Sequence, residues 1–229
     1  MQANFRWDWE GARPALEEAL RLNPSQPLAH LIYEMYWLFT GNVARGLVAS
    51  QRAAELDPLN PLPRYMTVYV LALAGQTDTA IAEYQRSEHL LRDFAYADSA
   101  IGTAYHNAGR NEEALVEYER SEKILGHLSP GRALALAALG RKAEARKQLQ
   151  SVEAAWPEAY VPPELIAQGW AALGETDHAL RWLETGVERR SSFAVASMLF
   201  REFRPLTNHP RFRAVMEQTG AGRWVGLAR

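Results

Sequence analysis

No cysteine occurs in the 229 residues, so disulfides, thiol catalysis and cysteine-ligated metals are excluded together. Long apolar runs are missing as well. The strongest, Leu134 to Leu139, is far too short to cross a bilayer. The opening MQANFRWDWEGA has neither the charged region nor the apolar run of a secretory signal. Nor does charge of one sign dominate: 25 basic against 27 acidic residues leave a net charge of −2 and a pI near 6.3, with no global field to gather nucleic acid. These absences lead us to expect a cytoplasmic chain with no membrane contact and no direct nucleic-acid partner.

Catalytic patterns are equally scarce. There is no HExxH, no GxSxG and no glycine-rich phosphate loop after a strand, and nothing alternates with the period of a strand. The histidines His30, His89, His106, His127, His178 and His209 are scattered, with no pair at ligand spacing on one helix. The G-x-G inside the terminal GAGRWVG follows a helix instead of a strand. Glu17 with Glu18, and Glu112 with Glu113, are adjacent on helices and so diverge instead of forming an acid/base pair. We therefore expect no enzyme, no cofactor, no metal and no catalytic residue. Trp156, Trp182 and Trp224 read as anchors of a core or interface.

What the chain does contain is a period. Gly41, Gly75, Gly109, Gly140 and Gly174 stand 34, 34, 31 and 34 residues apart, and each is followed five positions later by Gly46, Ala80, Ala114, Ala145 or Ala179. Small residues recur seven positions further on at Ala53, Ser87, Ser121 and Gly186. Tyr84, Tyr118 and Leu183 lie between, giving the i, i+4, i+7 stripe of a helix with one buried face. The preceding helices carry Tyr33/Trp37, Val68/Leu71, Ile101/Tyr105 and Ile166/Trp170. Helix stops are spelled LNP at 22–24 and LDP at 56–58. A unit of this length cannot bury its own apolar face and must stack on its neighbours. With 48% apolar and 23% charged residues there is ample material for one continuous core.

These residues resemble the tetratricopeptide repeat over about residues 8 to 192. The family pattern has a small eighth residue, an aromatic eleventh, alanine at twenty and twenty-seven and proline at thirty-two. Gly102, Tyr105, Ala114 and Tyr118 match it. Glu34 and Val68 depart at the eighth position, and proline is missing after the helices ending near Leu91 and Leu125, so irregular junctions are expected there. Ala12, Leu16, Ala19 and Pro24 fit only the second helix of a unit. We therefore expect a truncated first repeat: either the chain was cut from a longer protein or Phe5, Trp7 and Trp9 act as an improvised cap, and an end left exposed at Trp7 and Trp9 would invite association. WDWEGA, YVPPELIAQGWAALGETDHALRWLETGVERRS and RPLTNHPRFRAVMEQTG also resemble the C-terminal repeat regions of bacterial signalling and transcriptional regulators.

From Ser192 the period ends. Phe193, Met198, Leu199 and Phe203 suit a short covering helix. Asn208 and Pro210 start another, with Phe212, Val215 and Met216 inward and Gly220 at its close. Arg201, Arg204, Arg211, Arg213 and Arg223 read as the solvated face of this cap. The expected architecture is all-α: a right-handed superhelical solenoid of hairpins over 1–192, with capping helices over 193–229 in the same domain.

The resemblance implies that the first helix of each hairpin lines a concave groove. It places Leu31, Met35, Leu38, Tyr65, Tyr69, Ser99, Thr103, His106, Glu164 and Gln168 on that wall. Aromatic, methionine and hydroxyl side chains in a groove suit a protein or peptide segment. The Lys, Asn and Arg set that clamps a C-terminal carboxylate in one subgroup is missing, so chaperone tails are not the expected ligand. Self-association through the solenoid ends, giving a homo-oligomer, is the second expectation.

Overall fold

The computed structural model describes residues 8–94, 96–156, 158–159, 161–191, 193–196 and 199–220. They form α1 (Trp9–Leu22), α2 (Pro27–Phe39), α3 (Val43–Leu56), α4 (Pro61–Leu73), α5 (Thr77–Arg86), α6 (Glu88–Leu91), α7 (Ala97–Asn107) and α8 (Asn111–Leu125). There follow α9 (Pro130–Ala138), α10 (Lys142–Ala155), α11 (Pro163–Ala172), α12 (Thr176–Glu188), α13 (Phe193–Ala196), a 3-10 turn (Arg201–Leu206) and α14 (Pro210–Gln218). No strand occurs among the described residues. No helix among them is long and apolar enough to cross a membrane.

Five hairpins stack: α2/α3, α4/α5, α7/α8, α9/α10 and α11/α12, with α1 as a single helix in front. Each hairpin turn is built alike. Gly41, Gly75, Gly109, Gly140 and Gly174 all take positive φ between 70° and 79°, where a Cβ would be strained. The amide three positions past each helix end then reaches back to a carbonyl in its last turn: Asn42 to Trp37, Gln76 to Leu71, Arg110 to Tyr105, Arg141 to Leu136 and Glu175 to Trp170, at 2.8–3.0 Å. These bonds satisfy carbonyls that a helix end leaves unpaired.

Inside each hairpin, Ala80, Ala114, Ala145 and Ala179 are fully buried, which lets the paired helices approach closely. Tyr118 uses the same device on a larger scale. Its ring runs between Gly102 on α7 and Gly131 on α9, and a Cβ added at Gly131 would stand 2.3 Å from the ring. An irregularity lies before the junction where one was expected: helix geometry breaks at Ser87, splitting the second hairpin's outer helix into α5 and α6. Beyond Leu125 the chain turns through Gly126 at φ 70°. Between α10, α11 and α12, one oxygen of Glu153 accepts from Trp170 Nε1 (2.7 Å), Trp182 Nε1 and His178 Nε2 (2.9 Å). Trp156 stacks edge-on to Trp182. These tryptophans anchor the last hairpins.

The cap folds inward. After Arg190, whose φ of 52° is unusual for a residue other than glycine, α13 comes into contact with α2 at the far end of the stack. Phe200, Phe203, Leu206, Phe212, Val215 and Met216 are all buried in one cluster with Trp9, Tyr36 and Phe39 as well as with residues of α8 to α12. Burial of each such side chain is worth about 1.5–3 kcal/mol, so this contact is part of the core. Trp9 Nε1 donates to the Thr219 carbonyl at 3.0 Å across 210 residues of sequence, joining the first helix to the last. The expectation of an exposed Trp9 end is thereby corrected: Trp9 is buried against Tyr36, Phe39 and the turn after α14. Phe5, Trp7, Met198, Arg223 and Trp224 lie outside the described residues. Of the arginines read as a solvated face, Arg211 holds Glu184 at 2.7 Å through two nitrogens and also reaches Asp177, while Arg213 donates to Asn208.

Candidate functional site

The inner wall is lined by α2, α4, α7, α9 and α11, and its two halves differ. In the later half the chain's own 3-10 turn occupies the groove. Glu202 accepts from Gln168 Nε2 at 2.8 Å and lies 3.1 Å from His106 Nε2. Arg201 donates to the Asn107 carbonyl and to Glu202 itself. Burial alone would raise the Glu202 carboxyl, but the bonds from His106, Gln168 and Arg201 outweigh it and hold the group down at about 2. His106 Nδ1 lies 2.8 Å from the Asn111 side-chain oxygen, the Asn111 amide donates to the Gly109 carbonyl, and Arg201 Nη2 lies 2.9 Å from His106 Nε2.

The ten residues expected on the wall therefore separate. Leu31, Leu38, His106, Glu164 and Gln168 are buried, while Met35, Tyr65, Tyr69, Ser99 and Thr103 remain partly exposed. His106 and Gln168 face the groove but hold Glu202. Glu164 does not face it: its side chain lies over Gly186 inside the last hairpin, accepts from Ser191 Oγ at 2.9 Å, and is pushed by burial up to about 7. Ser99 bonds Ser121, and Thr103 lies 3.3 Å from the Tyr118 hydroxyl that emerges between the two glycines.

In the earlier half the wall stays open. Leu28, Leu62 and Tyr96 recur at 34-residue spacing at the first turns of α2, α4 and α7, and are 57%, 37% and 54% exposed. Behind them Tyr65 stacks on Tyr69 with centroids 6.0 Å apart, and Tyr65, Phe94 and Tyr96 form a ring cluster at 5.3–6.3 Å. Tyr65 and Tyr69 both keep some solvent contact. Burial pushes both phenols up, and the Glu34 carboxyl adds to the effect on each.

Glu34 is the unusual group of the first hairpin. It is fully buried, neither carboxylate oxygen has a hydrogen-bond partner, and desolvation pushes it well above the usual carboxylate range. Its place follows from an exchange of sizes within the repeat. The other hairpins pair a small or medium residue on the inner helix with a large one on the outer: Val68 with Tyr84, Gly102 with Tyr118, Ala133 with Leu149, Ala167 with Leu183. The first pairs large Glu34 with small Ser50. The exchange is written in the sequence at positions eight and twenty-four of the repeat taken together.

A second concavity, an open cleft of about 360 Å³, lies between α1, α2 and α3 and includes Leu20, Tyr33, Trp37 and Val48. Its cations are already engaged: Arg45 lies 4.5 Å over the Trp37 ring, and Arg52 pairs with Glu55. Among the described residues no three His, Asp or Glu side chains converge in a metal-holding group.

No family model and no curated protein matches the sequence. Among solved structures, the chain is similar to a chain in the crystal structure of the APC/C hetero-tetramer Cut9–Hcn1. The TM-score is 0.62 at 14% identity, covering 99% of this chain and 47% of that one. This chain thus spans about half the length of the protein it matches. At that identity the likeness shows the fold alone, a tetratricopeptide-like α-solenoid.

Proposed function

We propose that this chain is a non-enzymatic scaffold that holds a segment of a partner protein in the open half of its groove, as a regulatory module of a bacterial signalling protein. The observation that carries the reading is the exposed strip of Leu28, Leu62 and Tyr96 backed by Tyr65 and Tyr69, on a wall whose other half is already filled. Large exposed apolar and aromatic side chains aligned along a rigid stack are the anchors that interfaces use. The stack is ordered before the partner arrives, so most of the ordering cost falls on the partner segment. That the similar solved chain works within a hetero-tetramer agrees with a protein partner.

The test is site-specific photo-crosslinking in the source cell. A crosslinker at position 96 traps a partner, one at exposed Arg181 on α12 does not, and Tyr65→Ala with Tyr69→Ala abolishes the product while the fold stays intact. Equal trapping at both positions would overturn the reading, as would capture that survives the double substitution. Self-association through the solenoid ends is the alternative, and it has lost Trp9 as a contact. A concentration series by sedimentation, showing dimers that dissociate on dilution, would restore it.

A further inference from the structure

We infer that the cleft between α1 and α3, on the face of α2 away from the groove, docks an acidic segment of a partner protein, whose carboxylate meets Arg45 and Arg52 while a neighbouring apolar side chain fills the space against Tyr33 and Trp37. His30, Tyr33 and Trp37 stand at i, i+3 and i+7 on α2 and line this cleft, whereas Leu28, Leu31 and Met35 lie on the other side of the same helix. From α1 the cleft takes Leu20, and from α3 it takes Val48 and Ala49 as well as the two arginines. Val48 is 67% exposed. Two arginines and a histidine thus line the cleft with no carboxylate among them.

The neighbouring repeats show what the first one lacks. Moving 34 residues on, His30, Ala49 and Arg52 become Arg64, Glu83 and Arg86. There Glu83 accepts from both arginines, lying 3.1 Å from Arg64. A further 34 residues on they become Asp98, Glu117 and Arg120, and Asp98 holds Arg120 at 3.3 Å. The second and third hairpins thus supply this face with carboxylates of their own, and the first has an alanine and an open cleft instead. The existing contacts of the two arginines are partial. Arg45 lies over the Trp37 ring, which uses the face of the guanidinium and leaves its N–H edge without an acceptor among the described residues. Arg52 pairs with Glu55 along one exposed helix face, a kind of pair that contributes little. A guanidinium held flat on an indole presents its edge to an incoming carboxylate, which it can take through two nitrogens. The rings and aliphatic side chains beside it give an adjacent apolar residue of the same segment a place to bury. A basic segment would meet like charge here and be turned away.

The probe is a short helical peptide in which a central leucine is flanked by glutamates, compared by fluorescence anisotropy with the same peptide carrying glutamines. The glutamate probe binds the native chain at least about 10-fold more tightly. Ala49→Glu puts into the cleft the carboxylate that the next two hairpins carry, and there the preference falls below about 2-fold. Arg45→Gln combined with Arg52→Gln has the same effect; both side chains are exposed, so this variant gives the answer if thermal unfolding shows that Ala49→Glu does not fold. Tyr65→Ala with Tyr69→Ala leaves the binding unchanged, which separates this cleft from the groove. Equal binding of the two probes, no binding of either, or a preference that survives in a folded cleft variant overturns the inference. So does a dimer in sedimentation that Ala49→Glu dissolves, since the cleft would then belong to a second copy of the chain.

Discussion

The two halves of the inner wall are built from the same repeat, yet one is surface and the other is core. Over α2, α4 and α7 the first-turn side chains Leu28, Leu62 and Tyr96 face solvent; over α9 and α11 the wall is roofed by Phe200 to Leu206, and Gln168 is bonded to Glu202. A solenoid must cover its last hairpin. Here the covering segment runs back inside the curve as far as α2, then joins α14 to α1 through Trp9. The comparison teaches that position in the repeat does not by itself decide whether a residue binds a partner. His106 and Thr103 lie one turn apart on one helix, and only Thr103 keeps solvent contact.

The largest effect that would break this comparison lies in the roof. Phe203 is 1% exposed, so Phe203→Ala costs about 3–5 kcal/mol in urea unfolding. A cost near zero would mean the roof is only lightly docked. Next comes the charge that fixes it: Glu202→Gln destabilises by about 2–3 kcal/mol at pH 7. Because the folded carboxyl is held down at about 2, its contribution is whole above 4.5 and is lost as pH falls from 4.5 toward 2. The native chain should therefore lose stability over that acid range more steeply than the variant, and parallel curves would contradict the network.

Glu164 has the opposite sign. Its carboxyl is raised to about 7, so its contribution is present below 4.5 and is lost as pH rises through about 7. Glu164→Gln should gain about 1–3 kcal/mol at pH 8 and change little at pH 4, as followed by thermal melts. The smallest effect belongs to the open half, where Tyr96→Ala alters stability by less than about 0.5 kcal/mol.

Much of the stack could be read from the chain because its causes are local and recur. A glycine at the hairpin turn is required by the left-handed backbone there, and an alanine five residues later by the closeness of two helices, so Gly75 and Ala80 announce themselves. The outer helix of the second hairpin breaks at Ser87, before the junction near Leu91 where proline is missing. The inward cap could not be read in the same way, because Trp9 and Thr219 meet only through the curvature accumulated over the intervening hairpins, which no single period encodes. His106 and Gln168, which the repeat register alone puts on a free wall, are covered for that reason. Glu164 leaves the register's wall for a smaller reason: Gly186 opposite leaves room for its side chain to turn into the hairpin. Glu34 stood out as a departure from the repeat, but its isolation depends on where the hydroxyls of Ser50 and Thr67 point.

The absence of cysteine makes the division of the wall directly measurable, since a single introduced thiol reports without background. The rate of maleimide labelling of Tyr96→Cys and Gln168→Cys is the decisive comparison. Tyr96→Cys should react like a free thiol and Gln168→Cys on the order of 100-fold more slowly, gated by opening of the roof. Equal rates in two folded variants would contradict the account.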